Sequence, residues 1–294
     1  MTGSAPSRSN ILFVLFLGII GISTGSIFAR YADANPIAIS AYRSGIATAA
    51  MLPFVVARHR GEIAALERKT FLFVLLSGLF LALHFATWIT SLFYTTIASS
   101  VVIVQTIPIW TALLSPFVTG DRVSRLSWCG IGVSFAGMLT ITTGDFAIGG
   151  RALLGDFLAL TGAWFATLYF LTGRIVRPRM SLPAYTCICY GAAAFILFAA
   201  CLVFGIPLSG FSTRTWTAFV GMGLVSQILG HSSYNWALKH VSAGLVAVAL
   251  LGEPLGATLL AWLLFGETLT VTKIIGGVAI LTGIIMAAKG EGRS

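Results

Sequence analysis

Residues 250–267 read LLGEPLGATLLAWLLFGE, an apolar run that is interrupted near its start by Glu253 and Pro254. The run is apolar enough to lie inside a membrane, where an isolated carboxylate is costly. Proline lacks an N–H group and disturbs the helix before it, which leaves the carbonyl of Leu250 without its usual partner. Both features are tolerated where they face a cavity or another polar group. The stretch therefore predicts a bent membrane helix beside a polar interior.

The composition of the chain excludes a soluble domain. Of its 294 residues, 57% are hydrophobic and 9% are charged, with a mean hydropathy of +0.95, whereas soluble domains carry about 25% charged residues. The net charge of +9 does not indicate nucleic-acid binding, because the basic residues lie between apolar runs, where anionic headgroups are. The four cysteines lie within apolar runs and are expected to be buried side chains. We therefore expect an all-α polytopic membrane protein.

Ten apolar runs are long enough for transmembrane helices, which need about 20 residues each. They cover approximately 11–29, 36–57, 70–94, 96–118, 126–143, 152–173, 182–205, 215–238, 241–265 and 271–288. The first run is taken as a span and not as a signal peptide, because no clean cleavage site follows it. With a cytoplasmic N-terminus, the inside segments hold thirteen Lys and Arg residues and the outside segments hold four. The positive-inside rule thus predicts ten spans with both termini cytoplasmic.

The two halves of the chain share an ordered set of prolines and glycines 146 positions apart. The equivalent pairs are Pro108 and Pro254, Gly120 and Gly266, Gly130 and Gly276, and Gly137 and Gly283. We therefore expect one transporter domain over residues 1–294 with two repeats, at about 11–143 and 152–288. Five spans in each repeat make the second repeat enter the membrane from the opposite side. Such inverted repeats are typical of secondary transporters, whose substrate site lies between the repeats.

The chain resembles the EamA-type members of the drug/metabolite transporter superfamily over essentially its whole length. The resemblance rests on the ten spans, the two five-span repeats and a proline followed twelve residues later by a glycine and an acidic residue. This motif occurs as Pro108, Gly120 and Asp121, and again as Pro254, Gly266 and Glu267. Within the superfamily the chain is most similar to the YddG-type exporters of aromatic amino acids. The resemblance implies a basket of helices around a central cavity, with no ATP and no prosthetic group.

Two buried charges and two prolines are the candidate gating residues. Glu253 lies twelve residues into the ninth span, about 18 Å from its start and near the membrane midplane. Arg43 in the second span lies at a similar depth and is its expected partner. Ile107 replaces Glu253 in the first repeat, so only the prolines, Pro108 and Pro254, are shared. The carboxylate either switches partners during transport or locks two helices together.

Polar and aromatic side chains on the apolar helices are the candidate lining of a substrate cavity. Two stripes at helical spacing lie on the equivalent third and eighth spans, and further aromatic and small polar residues lie on other spans. Each of these groups also fits a structural role, as helix–helix hydrogen bonds, interface aromatics or packing residues. The candidates are His84, Trp88, Gln105, Trp164, Tyr169, Gln227, His231, Tyr234, Asn235, Tyr42 and Ser26. Trp164, far from both interfaces, is the residue expected to stack on a flat substrate.

The sequence favours a secondary transporter over an enzyme or a channel. Neither H-E-x-x-H nor G-x-S-x-G occurs, and no repeated ring of charges indicates a channel or scaffold. We expect export of small amphipathic metabolites, foremost aromatic and other neutral amino acids; drugs, nucleobases and nucleosides are the alternative substrates. No catalytic residue, metal or cofactor is assigned. The expected partners are this substrate and the lipid of a bacterial inner membrane, with no nucleic acid, and the chain is taken as a monomer.

Overall fold

The computed structural model describes residues 6–142, 150–265 and 270–291, and these residues form helices and no strand. The predicted all-helical class is thus confirmed. The helices are α1 (Arg8–Ser23), α2 (Gly25–Tyr31), α3 (Pro36–Ala64), α4 (Arg68–Ser91), α5 (Ile97–Val104), α6 (Ile107–Val118), α7 (Arg125–Thr142), α8 (Arg151–Val176), α9 (Leu182–Val203), α10 (Thr213–Gly221), α11 (Ser232–Ala237), α12 (Ala243–Leu250), α13 (Glu253–Phe265) and α14 (Val271–Glu291). A 3-10 turn (Arg177–Arg179) follows α8, and a π-helical segment (Met222–His231) joins α10 to α11.

Seven stretches of helix are long and apolar enough to cross a membrane. They are Arg8–Tyr31, Pro36–Ala64, Arg68–Ser91, Ser99–Val118, Arg151–Arg179, Leu182–Val203 and Ala243–Leu260. Two shorter apolar helices, Arg125–Ile141 and Ile274–Gly290, correspond to the fifth and tenth predicted spans. The eighth predicted span lies on α10, the π-helical segment and α11. Each predicted run therefore falls on helix, while the count of ten membrane crossings stays a prediction.

Several helix starts recur at the same 146-residue offset as the sequence repeat. Asn35 and Ser181 are the N-cap residues of α3 and α9, and Thr96 and Ser242 are those of α5 and α12. Each side-chain oxygen accepts a hydrogen bond from a backbone N–H in the first turn, as N-cap residues do. The equivalent helices therefore begin at equivalent residues because the capping chemistry is repeated.

The fourth and ninth predicted spans are broken, and the breaks are equivalent. The first break, at Gln105 and Thr106, separates α5 from α6; the second, at Leu251 and Gly252, separates α12 from α13. Pro108 and Pro254 lie at the second residue of the helices that follow. Proline is accepted there because the first helical N–H groups have no partner within the helix. The bend predicted at Pro254 therefore lies in a two-residue turn just before the proline, and the equivalent turn precedes Pro108. The N–H groups of Thr106 and Gly252 still donate to the carbonyls of Ile103 and Ala249 in the preceding turn.

Helices α7 and α14 pack backbone against backbone through four glycines. A Cβ atom added to Gly130 would lie 2.5 Å from the carbonyl oxygen of Gly283. A Cβ atom added to Gly276 would lie 2.6 Å from the carbonyl oxygen of Gly137. Because Gly130 is equivalent to Gly276 and Gly137 to Gly283, exchanging equivalent positions converts one contact into the other. This reciprocity is characteristic of packing about a two-fold axis.

The Gly-Asp pair of the sequence motif ends α6 and ties it to α8. Gly120 has a φ of +77° and its N–H donates to the carbonyl of Ser115, which is the left-handed conformation that glycine adopts after a helix. Asp121 then accepts hydrogen bonds of 3.1 and 3.3 Å from the Arg174 guanidinium. Arg174 also donates to the carbonyl of Leu238. The equivalent residues 266 and 267 lie outside the described part of the chain.

The core lies where α3, α4, α8 and α9 pack together, with the π-helical segment and α11 beside them. Large apolar side chains also cover the outside of the bundle; Phe117 is 87% exposed and Leu263 is 67% exposed. In contrast, polar side chains such as Ser40, Arg43 and Gln227 are buried inside. Apolar residues outside and polar residues within are the distribution expected of a membrane helix bundle around a polar site.

Candidate functional site

A cavity lies beside both helix breaks. It encloses about 450 Å³ of empty space when open solvent is included, of which about 30 Å³ can hold the centre of a water-sized sphere. Residues next to the first break (Val104, Gln105 and Ile107) and next to the second (Leu250 and Glu253) form part of its wall. Interrupted helices at corresponding positions of two repeats mark the binding sites of transporters, because their ends expose backbone and polar groups to the interior.

Seven of the predicted site residues line this cavity. They come from α3, α4, the two breaks, α8 and the π-helical segment, and they are Arg43, His84, Trp88, Gln105, Tyr169, His231 and Glu253. The histidines of the third and eighth spans, His84 and His231, have ring centroids 6.5 Å apart. The structure therefore brings the polar stripes of the third and eighth spans together at one site.

A hydrogen bond joins the two breaks. The Gln105 Nε2 atom donates to the Glu253 Oε2 atom over 2.7 Å. Ser23 Oγ donates to the backbone carbonyl of Glu253 over 3.1 Å, and Gly256 leaves the space for it, since a Cβ there would lie 2.1 Å from that hydroxyl. Glu253 is in the first turn of α13, where the free N–H groups of the helix stabilise a negative charge. These contacts explain how a carboxylate is held inside an apolar bundle.

Arg43 is held on the other side of the cavity by an amide and an aromatic ring. Its Nε atom donates to Gln227 Oε1 over 2.7 Å, and its guanidinium carbon lies 3.9 Å from the centre of the Phe85 ring. Only 1% of Arg43 is exposed. A cation over the face of a ring is stabilised by the ring electrons. Gln227 and Phe85 therefore fix a positive charge at the cavity wall.

The expected ion pair between Arg43 and Glu253 is not formed. The ion pairs found among the described residues are His59–Glu62 and Arg174–Asp121. The pairing fails because Glu253 faces Gln105 across the breaks while Arg43 faces Gln227 on the π-helical segment. Two opposite charges therefore border one cavity, each held by an amide and neither by the other.

Several polar atoms of the site have no hydrogen-bond partner within the described parts of the chain. Around the cavity they are Arg43 Nη1, Trp88 Nε1, Gln105 Oε1, His231 Nδ1 and Glu253 Oε1, and Gln227 Nε2 lies just behind. Buried polar atoms are nearly always paired, since leaving one unpaired costs about 1–3 kcal/mol. Their grouping around one cavity indicates a site for a solute that carries both donors and acceptors.

The aromatic rings of the site have fixed positions. His84 Nδ1 lies 2.9 Å from the carbonyl oxygen of Gly162 and must donate to it, because a carbonyl only accepts. The His84 and Trp88 rings are parallel, with an interplanar angle of 1° and centroids 5.8 Å apart. On α8, the Tyr169 hydroxyl accepts a hydrogen bond of 2.6 Å from Asn235 Nδ2. Asn235 thus positions Tyr169 from behind the cavity.

Trp164 does not line the cavity. Its side chain is 41% exposed on the outer face of α8 and meets Trp110 edge to face. At 3.6 residues per turn, Trp164 and Tyr169 point about 140° apart, and Tyr169 takes the inward direction. The expectation that Trp164 stacks on the substrate is therefore corrected: depth along a span does not set which way a side chain points.

Three other candidates lie behind or away from the cavity. Tyr42 stacks on Phe219 with ring centroids 4.7 Å apart, and its hydroxyl donates to the carbonyl of Leu208. Tyr234 and Ser26 are buried but are not part of the cavity wall. The structure therefore gives Tyr42 a packing role that its place in the sequence could not show.

The sequence interpretation missed the apolar part of the wall. These residues are Ile22, Val104, Ile107, Ala166, Phe170 and Leu250. The residues that flank the breaks could have been found, because they are neighbours of Gln105 and Glu253 in sequence. Ile22 and Ala166 could not, since no pattern separates an apolar residue that faces a cavity from one that faces a neighbouring helix.

The chain matches the sequence pattern of the EamA-like transporter family twice, over residues 9–143 and 153–288. The chain belongs to this family. It is 25% identical over 291 residues to the uncharacterized transporter YyaM of Bacillus subtilis, covering 94% of this chain and 93% of YyaM. It is 25% identical over 194 residues to the uncharacterized inner membrane transporter YedA of Escherichia coli, covering 65% of this chain and 61% of YedA.

A solved crystal structure shows the same fold. It superposes with a TM-score of 0.79 at 20% sequence identity and covers 98% of this chain and 99% of its own. The family and its transporter relatives indicate a multi-pass membrane transporter of the drug/metabolite transporter superfamily and not an enzyme. The EamA-like assignment made from the sequence is confirmed at the level of the family.

Proposed function

We propose that this EamA-like protein is a secondary transporter that exports aromatic and other neutral amino acids by alternating access. The observation that carries the proposal is the cavity between two equivalent helix breaks, where unpaired donors and acceptors lie beside aromatic rings. In this proposal the protein crosses a bacterial inner membrane ten times, as two inverted repeats with both termini in the cytoplasm.

Three observations support the inverted repeat. The family pattern matches each half of the chain separately. The N-cap residues recur 146 positions apart, as Asn35 and Ser181 illustrate. The reciprocal glycine contacts of α7 and α14 fit a two-fold axis between the halves. Inverted halves allow alternating access, because one half can take the conformation of the other and expose the same site to the opposite side.

The two breaks supply a mechanism for this exchange. Helices α6 and α13 each follow a two-residue turn, and such a turn can serve as a hinge at which the helix after it tilts relative to the helix before it. The Gln105–Glu253 hydrogen bond joins the two breaks, so a movement of the backbone at one break is transmitted to the other break. We infer that this bond lengthens or changes partner as the cavity opens to the other side.

The chemistry of the wall supports an amino acid as substrate. Arg43 and Glu253 can bind the two charges of a zwitterion, while Trp88, His84 and Tyr169 offer surfaces to an apolar side chain. A neutral amino acid leaves no net charge to be desolvated. A cationic drug would leave Arg43 facing a like charge, and a nucleoside has no carboxylate for it.

Counterflow in proteoliposomes tests the proposal. Vesicles loaded with unlabelled phenylalanine are diluted into labelled phenylalanine, and leucine, uridine or tetraphenylphosphonium is added outside as competitor. We expect a transient accumulation of label that leucine suppresses and that uridine and tetraphenylphosphonium do not. No accumulation above protein-free vesicles, or suppression by uridine or the cation alone, would reject amino-acid exchange.

A further inference from the structure

Four of the six unpaired atoms at the cavity form a donor end and an acceptor end. At the donor end, Arg43 Nη1 and Gln227 Nε2 have no partner among the described residues. At the acceptor end, the same holds for Gln105 Oε1 and Glu253 Oε1. The donors and the acceptors come from different elements: α3 and the π-helical segment carry one end, and the two helix breaks carry the other.

The orientation of both amides follows from their neighbours. A guanidinium only donates, so Gln227 must turn its oxygen to Arg43, which leaves its NH₂ group as a free donor. A carboxylate only accepts, so Gln105 must turn its NH₂ group to Glu253, which leaves its oxygen as a free acceptor. Each amide therefore presents the same kind of hydrogen-bonding group as its charged neighbour. Two donors lie together at one end, and two acceptors lie together at the other.

Arg43 and Glu253 do not form a direct ion pair. Among the ion pairs of 4.0 Å or less in the described residues, none joins Arg43 to Glu253. An α-amino acid carries its carboxylate and ammonium on adjacent carbon atoms and can bridge two protein charges that are too far apart to meet. Buried charges that are each left partly unpaired are destabilising, so such a bridge would be bound favourably.

We propose that the cavity binds an α-amino acid in one orientation, with its carboxylate on Arg43, which Gln227 holds in place from behind the wall, and its ammonium on Glu253 and Gln105. The side chain then lies against the wall formed by Trp88 and Tyr169. This inference rests on the proposed function and adds the residues that recognise each end of the substrate. Gln105 acts both as a positioning residue for Glu253 and as a ligand of the substrate, whereas Gln227 is a positioning residue for Arg43.

Recognition of both ends gives a requirement that can be tested on the unchanged protein. Phenethylamine lacks the carboxylate of phenylalanine, and 3-phenylpropionate lacks its ammonium. We expect each to compete with phenylalanine counterflow at least about 30-fold less well, since leaving one member of a buried charge pair unmatched has effects of this size. Competition by either analogue equal to that of phenylalanine would overturn the inference.

Two variants then assign the ends. Arg43→Gln is expected to weaken competition by phenylalanine and 3-phenylpropionate at least about 30-fold while leaving that of phenethylamine within about threefold. Glu253→Gln is expected to do the reverse, weakening phenylalanine and phenethylamine and sparing 3-phenylpropionate. Arg174→Gln, which removes a guanidinium outside the cavity wall, is the matched control and should change all three equally.

The outcomes separate this inference from the proposed function. The assigned orientation is overturned if phenylalanine counterflow occurs but both variants weaken the competition by all three compounds equally. It is also overturned if the two variants show each other's expected pattern. In both cases amino-acid transport itself still stands. Absence of counterflow for every amino acid tested overturns the proposed function itself. Where a variant does not elute as a single species from gel filtration, the competition experiment on the unchanged protein decides alone.

Discussion

The glycine contact between α7 and α14 gives the sharpest prediction about the architecture. An alanine Cβ at position 137 would lie 2.6 Å from the carbonyl oxygen of Gly276 and 2.9 Å from the backbone nitrogen of Ile280. Carbon needs about 3.5 Å from such neighbours, so α7 and α14 must separate by roughly 1 Å. Overpacking of this kind costs about 1–3 kcal/mol, against a gain of about 1 kcal/mol in helix propensity.

Gly132 in the same helix provides the matched control, because a Cβ there would meet no atom of the described structure within 4 Å. Gly132→Ala therefore keeps the gain in propensity without the clash. We expect Gly137→Ala to be less stable than Gly132→Ala by about 1–3 kcal/mol, seen as a lower melting temperature in detergent by fluorescence-detected gel filtration. Equal melting temperatures would refute the backbone contact and, with it, the reciprocal packing of the two halves.

Three further predictions concern the cavity, the end of α6 and the topology. Trp88→Ala should lower the rate of phenylalanine exchange severalfold to about tenfold through lost stacking, whereas Trp164→Ala should not lower it. The reverse result would indicate that the substrate binds at the outer face of α8. Asp121→Asn breaks a partly exposed ion pair and should change initial exchange rates by at most about fivefold, equally for all substrates; a substrate-dependent effect would contradict its place outside the site. A reporter active only in the periplasm, fused after Ser294, should stay inactive, and activity would reverse the orientation.

The features that the sequence predicted best are those that depend on the conformation of the backbone at one residue. Pro108 and Pro254 act on the chain locally, so their presence in both halves indicated where the fourth and ninth spans are interrupted. The recurring glycines, which the sequence showed only as evidence of the repeat, lie at the close approach of α7 and α14, where a Cβ atom would clash. These signals need no knowledge of which helix is the neighbour.

The parts of the site that depend on neighbouring helices could not be predicted in this way. The sequence placed Arg43 and Glu253 at similar depths, and depth alone made them partners. Gln105 and Gln227 take those partnerships instead, since the rotation of each helix decides which side chains meet. Trp164 was misplaced for the same reason: its depth is suitable, but α8 turns Tyr169 inward and Trp164 outward.

If the substrate passes through the cavity at the helix breaks, a thiol placed on the wall of that cavity must be reachable from the transport path. Chemical labelling of such a thiol measures this directly. Ile107→Cys, in a protein whose four native cysteines are replaced, places a thiol on the buried wall beside Gln105. Phe195→Cys, at a residue that is 76% exposed and lies near the middle of α9, is the control for a thiol on the outside of the bundle.

A membrane-impermeant thiol reagent is added to proteoliposomes from either side, with or without saturating phenylalanine. We expect the thiol of Ile107→Cys to be modified from both sides, phenylalanine to slow this reaction, and the modification to stop exchange, whereas the thiol of Phe195→Cys is not modified. Modification of Ile107→Cys that phenylalanine does not slow, in vesicles that still exchange phenylalanine, would show that the substrate takes another path.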